Sequence, residues 1–162
     1  MELTQHSKLP NKWTLWYHKS HNDFTINGYK SIYQIETIDN YWNLHNSWNI
    51  NGGIIKNQLY IMKENIKPIW EDPENAKGGR WSFKVKLSQA QKLWDDLACY
   101  LVSGNLITNS NEVTGISCSI KKKSWAVIKI WNNNQKNTSL KNIHPDILKK
   151  WGLEIIYIAN VI

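Results

Sequence analysis

The sequence predicts an α+β domain of about eight strands and three helices, and three observations predict it. Short runs in which apolar and polar residues alternate recur along the chain, the period of strands with one buried face. A longer stretch after Ser88, QAQKLWDDLACYLVS, sets Leu93, Trp94, Leu97 and Leu101 on one helical stripe. Turn residues, chiefly Asn and Gly, separate these segments. The 162 residues are enough for one domain with a proper core. We assign that domain to residues 11–162 and read the polar residues 1–10 as a flexible leading segment.

In Asn11 to Lys19, Trp13, Leu15 and Tyr17 alternate with Thr14, Trp16 and His18, a strand with both faces partly covered. Ser20 to Gly28 is a polar turn region whose one aromatic is Phe24. Tyr29 to Glu36 is a second strand. Thr37 caps a helix over TIDNYWNLHNSW, with Asp39 in its first turn. Ile38, Tyr41, Trp42 and His45 share one face of it, ordinarily a core face. A Gly- and Asn-rich loop leads to a short strand, Gln58 to Lys63, and Pro73 to Lys77 has no apolar period and reads as loop. Trp81, Phe83, Val85 and Leu87 alternate with Ser82, Lys84 and Lys86 as a strand. Ser88 caps the clearest helix, stopped by Gly104. Val113 to Lys121 and Trp125 to Trp131 are strands flanking a basic turn. Thr138 or Ser139 opens the third helix, in which Pro145 demands either a late start or a kink. Leu153 to Val161 is the last strand.

A formal charge of +7 suggests an anionic partner, although many basic proteins bind no nucleic acid. The aromatic usage is more pointed: ten Trp and seven Tyr against two Phe, interleaved with Lys as stacking on bases requires. About six of the Trp are expected in the core on burial statistics. Arg80 is the one Arg of the chain. Cys99 and Cys118 form no CxxC, and no Cys/His cluster has metal-ligand spacing, so a reduced intracellular protein without metal or cofactor is expected. No apolar run is long enough to span a membrane, and the N-terminus lacks an apolar signal core.

The chemistry concentrates in KPIWEDPENAKGGRW, Lys67 to Trp81. A Trp with a carboxylate beside it, on a loop held by a strand, suits a flat ligand that is cationic on its face and rich in donors on its edge. A Trp-Glu pair alone is ordinarily a core Trp beside a solvated Glu. The whole stretch, with NKWTLW near the N-terminus, resembles the signature of the cap-binding eukaryotic translation initiation factor 4E family. The resemblance covers about Asn11 to Ile158. It implies a curved antiparallel sheet, helices on its convex face and a slot for the messenger RNA cap on the concave one.

In that family the Trp and Glu matching Trp70 and Glu71 stack on 7-methylguanine and bind its Watson–Crick edge. The second stacking Trp is missing here; Phe24 is the stand-in and Tyr29 the fallback, and a Phe face attracts cations less than a Trp face. Arg80, Lys121 and Lys123 are the implied phosphate ligands. The family's next phosphate Lys aligns near Val127, with Lys123 or Lys129 as replacement. Trp42 and Ile38 match a dorsal surface that holds a helix of the initiation scaffold protein or of repressors. The aligned Asp95, Asp96 and Cys99 depart from that pattern, so a divergent partner with a basic or polar residue facing Asp95 is expected.

Family members continue past the last apolar strand into a loop that covers the phosphates. The sequence ends at Ile162, so either the protein lacks that loop, which leaves the slot open at that end, or the sequence stops short of it. The expectation is thus a short, divergent, monomeric cytoplasmic cap-binding protein of cellular or viral origin that acts by binding capped messenger RNA without chemistry. Cap-binding repression and a Trp-rich carbohydrate-binding module are the rival functions. An enzyme would need a metal carboxylate cluster or an activated nucleophile, and Glu71 with Asp72 is the only acid pair near the site.

Overall fold

A computed structural model of the chain describes residues 7–20, 22–50, 54, 58–121, 124–152 and 154–160. Among them are strands β1 (Lys8–His18), β2 (Tyr29–Thr37), β3 (Leu59–Lys63), β4 (Gly79–Lys86), β5 (Val113–Lys121), β6 (Trp125–Asn132) and β7 (Ile155–Ala159). Helices are α1 (Ile38–Ile50), α2 (Pro73–Ala76), α3 (Leu87–Ser103) and α4 (Pro145–Trp151). The strands form one curved sheet in the order β2-β1-β3-β5-β6-β4-β7, every neighbouring pair antiparallel. Helix α3 crosses β1, β4, β5 and β6 on one face, α1 packs on β2, and α4 packs on α3. The α+β class therefore holds, with seven described strands where about eight were expected.

Alternation along β4 divides the molecule. Trp81, Phe83 and Val85 are buried toward α3, while Arg80, Ser82, Lys84 and Lys86 lie on the opposite face. The register pairs Arg80 with Trp131 and Ser82 with Lys129, so those β6 residues share the open face. Ala90, Leu93, Trp94, Leu97 and Leu101 of α3 are fully buried against the other face. Five of the ten Trp, namely Trp13, Trp48, Trp81, Trp94 and Trp131, are buried, against about six expected. Trp42, Trp70 and Trp125 are exposed, and each marks a surface that the core does not explain.

Local chemistry fixes the ends of the elements. The Thr37 hydroxyl accepts from Asn40 N–H, and the Asn40 side chain accepts in return from the N–H groups of Glu36 and Thr37, a reciprocal cap on α1. The buried face of α1 is Tyr41, Leu44 and Trp48; of the face expected as core only Tyr41 is buried, and Trp42 is exposed. Gly104 stops α3 with φ 83°, a left-handed conformation that suits glycine. Helix α3 starts at Leu87 with no side-chain cap, so Ser88 lies inside the first turn instead of capping it. Pro145 sits at the first turn of α4, and His144 Nδ1 accepts from Asp146 N–H; the late start is the alternative realised. Strand β1 begins at Lys8, earlier than the Asn11 read from the alternation.

Candidate nucleotide-binding cleft

The open face of the sheet carries a cleft of about 330 Å³ whose walls include Phe24, Trp70, Glu71, Arg80 and Lys121. Phe24 and Lys121, 97 positions apart in sequence, thus meet at one place. Lys123, the remaining expected phosphate ligand, lies outside the described residues. Tyr60, Lys129 and Trp131 also line the cleft.

The wall that carries Trp70 and Glu71 is held by its neighbours. Asp72 is buried; it accepts from Lys67 N–H at 2.9 Å and caps α2 by accepting from Glu74 N–H at 3.0 Å. Pro73 at the first turn completes the one-turn α2, which is too short to leave a period in the sequence and was read as loop. Asn75, also buried, donates to the carbonyls of Lys67 and Ile69, both at 2.9 Å. Asn160 donates to the Asn75 carbonyl at 2.7 Å and ties this loop to the end of β7. The acids next to each other are therefore not a pair. Asp72 is an internal cap, while Glu71 is exposed and has no hydrogen bond or ion pair among the described residues. Trp70 is 44% exposed, far more than a core indole.

The glycines before Arg80 have steric causes. A Cβ at Gly78 would lie 1.8 Å from the Asn132 carbonyl oxygen, and one at Gly79 would lie 2.4 Å from the Ile158 carbonyl oxygen. Buried Asn132 accepts from Gly79 N–H at 2.9 Å and from the Tyr157 hydroxyl at 2.7 Å. Arg80 follows directly, so its backbone is fixed by this packing.

The opposite wall is Phe24, 66% exposed. Its loop is held by His18, whose Nε2 lies 2.8 Å from the Asp23 carbonyl oxygen and whose Nδ1 lies 3.1 Å from Gln58 Oε1. Asp23 accepts from Thr25 N–H and hydroxyl, and these bonds lower its pKa. Tyr29, the fallback, is buried with its ring stacked on His18 at 4.3 Å and an interplanar angle of 16°. Both aromatics line the cleft; one face of Tyr29 is occupied by His18, and Phe24 is the more exposed of the two.

The floor and the cationic end come from the register. Trp131 is buried, and its Nε1 donates to Ser117 Oγ at 2.9 Å. The Arg80 guanidinium lies 5.4 Å from the centre of the Trp131 ring, and its buried Nε has no partner among the described residues. Burial draws Lys129 down to about 8, with repulsion from Arg80 and Lys121 adding to the effect. Among the described residues three cations, Arg80, Lys121 and Lys129, line the cleft against the single carboxylate of Glu71, an arrangement suited to an anion of several charges.

A second groove, about 400 Å³, lies on the helical side between Leu9, Pro10, Ile38, Trp42 and Cys99. It brings together Ile38, Trp42 and Cys99 as expected. Asp95 and Asp96 stand outside it. Asp95 accepts from Gln91 Nε2 at 2.9 Å and faces His45 at 3.7 Å, and burial raises its pKa. Asp96 accepts from Lys150 at 2.9 Å and from Trp151 Nε1 at 3.0 Å. Within the chain, His45 is the basic ring facing Asp95, 3.7 Å away, and the residue expected opposite Asp95 belongs to a partner chain.

Among the described residues, an exposed Trp beside a carboxylate, a second exposed aromatic and three cations thus line one cleft. A family model described as Eukaryotic initiation factor 4E matches residues 8–157. The chain belongs to the eukaryotic initiation factor 4E family. It is 31% identical over 157 residues to eukaryotic translation initiation factor 4E of Candida albicans, covering 91% of this chain and 75% of that one. Among solved structures it resembles Ascaris suum eIF4E-3 with m7G cap, with a TM-score of 0.81, 24% identity, and coverage of 96% and 92% of the two chains. It also resembles C. elegans eIF4E-3 in complex with the 4E-binding protein Mextli, with a TM-score of 0.81, 23% identity, and coverage of 95% and 93%.

Proposed function

We propose that this chain binds the 7-methylguanosine 5′ cap of messenger RNA for translation initiation, by contact alone and without covalent chemistry. The observation that carries this reading is the exposed Trp70 beside the unpaired Glu71, on a loop fixed by Asp72 and Asn75. Methylation at N7 makes guanine cationic, and Trp70 and Phe24 sandwich it. Glu71 accepts from N1–H and the exocyclic amine, Trp70 N–H donates to O6, and the Trp131 ring closes the floor. Arg80, Lys121 and Lys129 neutralise the phosphates. A cytoplasmic location suits this role.

A desolvated cation–π contact is worth about 2 kcal/mol, so the methylated nucleotide should bind at least about tenfold, or 1.4 kcal/mol, more tightly than the unmethylated one. Titration of Trp fluorescence with 7-methylguanosine triphosphate and guanosine triphosphate measures this. Equal affinities would sink the reading.

The groove at Trp42 takes a helix of an initiation scaffold or a repressor, as the complex of the C. elegans relative with a 4E-binding protein suggests. Truncating an exposed aromatic anchor costs about 2 kcal/mol or more at an interface. Trp42→Ala should therefore weaken a 4E-binding peptide by about 2 kcal/mol and leave cap affinity unchanged. Asp95→Leu should change little. A large gain from Asp95→Leu, measured by calorimetry, would put that residue back in the interface.

A further inference from the structure

Trp125 is 37% exposed and has no part in the cleft or the groove. The register pairs it with Lys86 on β4 and with Lys121 on β5, so the three side chains form one row across three strands. Residues directly opposite in antiparallel strands have their side chains on the same face. The row therefore lies on the open face, the face of Arg80, Lys129 and Trp131. Lys84, on the same face of β4, holds its ammonium 4.8 Å from the centre of the Trp125 ring. Trp131 and Trp125 lie six positions apart on β6, roughly 20 Å along an extended strand.

We propose that Trp125 with Lys84 and Lys86 is a second stacking site, for a base among the first transcribed nucleotides of capped RNA. This rests on the cap reading above. Lys121 closes the cationic end of the cleft and pairs directly with Trp125, so a chain leaving the last cap phosphate arrives at that indole. Base stacking on an aromatic is stronger than an exposed Lys–Trp contact. The base therefore takes the ring face, and Lys84 moves from the indole to the neighbouring phosphate. Stacking of this kind does not depend on the identity of the base. No acid lies in the row, so the charge repels nothing in the RNA backbone.

The test compares 7-methylguanosine triphosphate, a capped tetranucleotide and the same tetranucleotide uncapped. The capped tetranucleotide should bind about tenfold tighter than the mononucleotide. Trp125→Ala should abolish that advantage, Trp125→Phe should keep most of it, and K84Q with K86Q should flatten the salt dependence for the tetranucleotide alone. Affinity for the mononucleotide should stay the same in every variant. The proposal is overturned if the wild type gains nothing from the added nucleotides, or if the Trp125 variants weaken both capped ligands equally or neither. Failure of the wild type to bind the mononucleotide, with capped and uncapped tetranucleotides held alike, would instead strike down the cap reading on which the site depends.

Discussion

Glu71→Ala should weaken binding of 7-methylguanosine triphosphate by about 2–4 kcal/mol, because the base edge loses two charge-assisted hydrogen bonds. The fold should be untouched. Glu71 is exposed and makes no hydrogen bond or ion pair among the described residues, and the loop is held by its neighbours Asp72 and Asn75. Glu71→Gln keeps the shape and one acceptor, and should recover part of the loss. The neighbouring Asp72→Ala should behave differently: it removes the cap of α2 and orphans Lys67 N–H, so it should lower stability together with affinity. Titration beside urea denaturation separates the two cases. A Glu71→Ala protein that bound normally would place the base edge elsewhere.

Lys129→Met should move stability and binding in opposite directions. Burial, with Arg80 and Lys121 adding repulsion, lowers the Lys129 pKa from 10.5 to about 8. Between those two values the unfolded chain binds more protons than the folded one, so stability rises with pH across that window. At neutral pH the folded protein carries this charge against its surroundings. Replacing it by an apolar side chain should stabilise the free protein by about 1 kcal/mol. Binding of the triphosphate should fall by about 1.5–3 kcal/mol, the worth of a charged hydrogen bond. Phosphate raises the Lys129 pKa, so its contribution to affinity is complete below about 8 and fades as the pH rises above it. Thermal melts and titrations of both proteins from pH 6 upward check these signs. A Met variant that is less stable and binds normally would make Lys129 a structural residue.

The parts of the site that were legible in the sequence are those whose meaning is local. Trp70, Glu71, the two glycines and Arg80 lie in one short string that a single pass along the sequence picks out. Lys129 was weighed only as one of two replacements, and Trp131 and Tyr60 were read as strand residues without a role. Their place in the cleft depends on which residue of β6 faces which residue of β4, a fact of register that no single strand carries. The alternation of Trp125, Val127, Lys129 and Trp131 does put all four on one face, and that signal was available. Trp42 was ambiguous because a helix period shows which residues share a face, not whether that face is buried. The setting of Asp95 is hidden for the same reason: its neighbours Gln91 and His45 lie on its own helix and on the one packed beside it.

The two walls of the cleft are anchored by different means, and this bears on how a ligand leaves. The Trp70 wall is tied through Asp72, Asn75 and Asn160 to buried backbone at the end of the sheet. The Phe24 wall is held by bonds within its own loop, Lys19 and Ser20 N–H to the Gly28 carbonyl and Thr25 to Asp23, and by His18, which reaches the Asp23 carbonyl and Gln58. Local opening draws on the least stable contacts first. Release should therefore proceed by swinging the Phe24 loop aside while Trp70 and Glu71 keep hold of the base, which would set the lifetime of the complex at that loop and the choice of ligand at Glu71. Selectivity and residence time thus sit on separate walls, and one can change without the other.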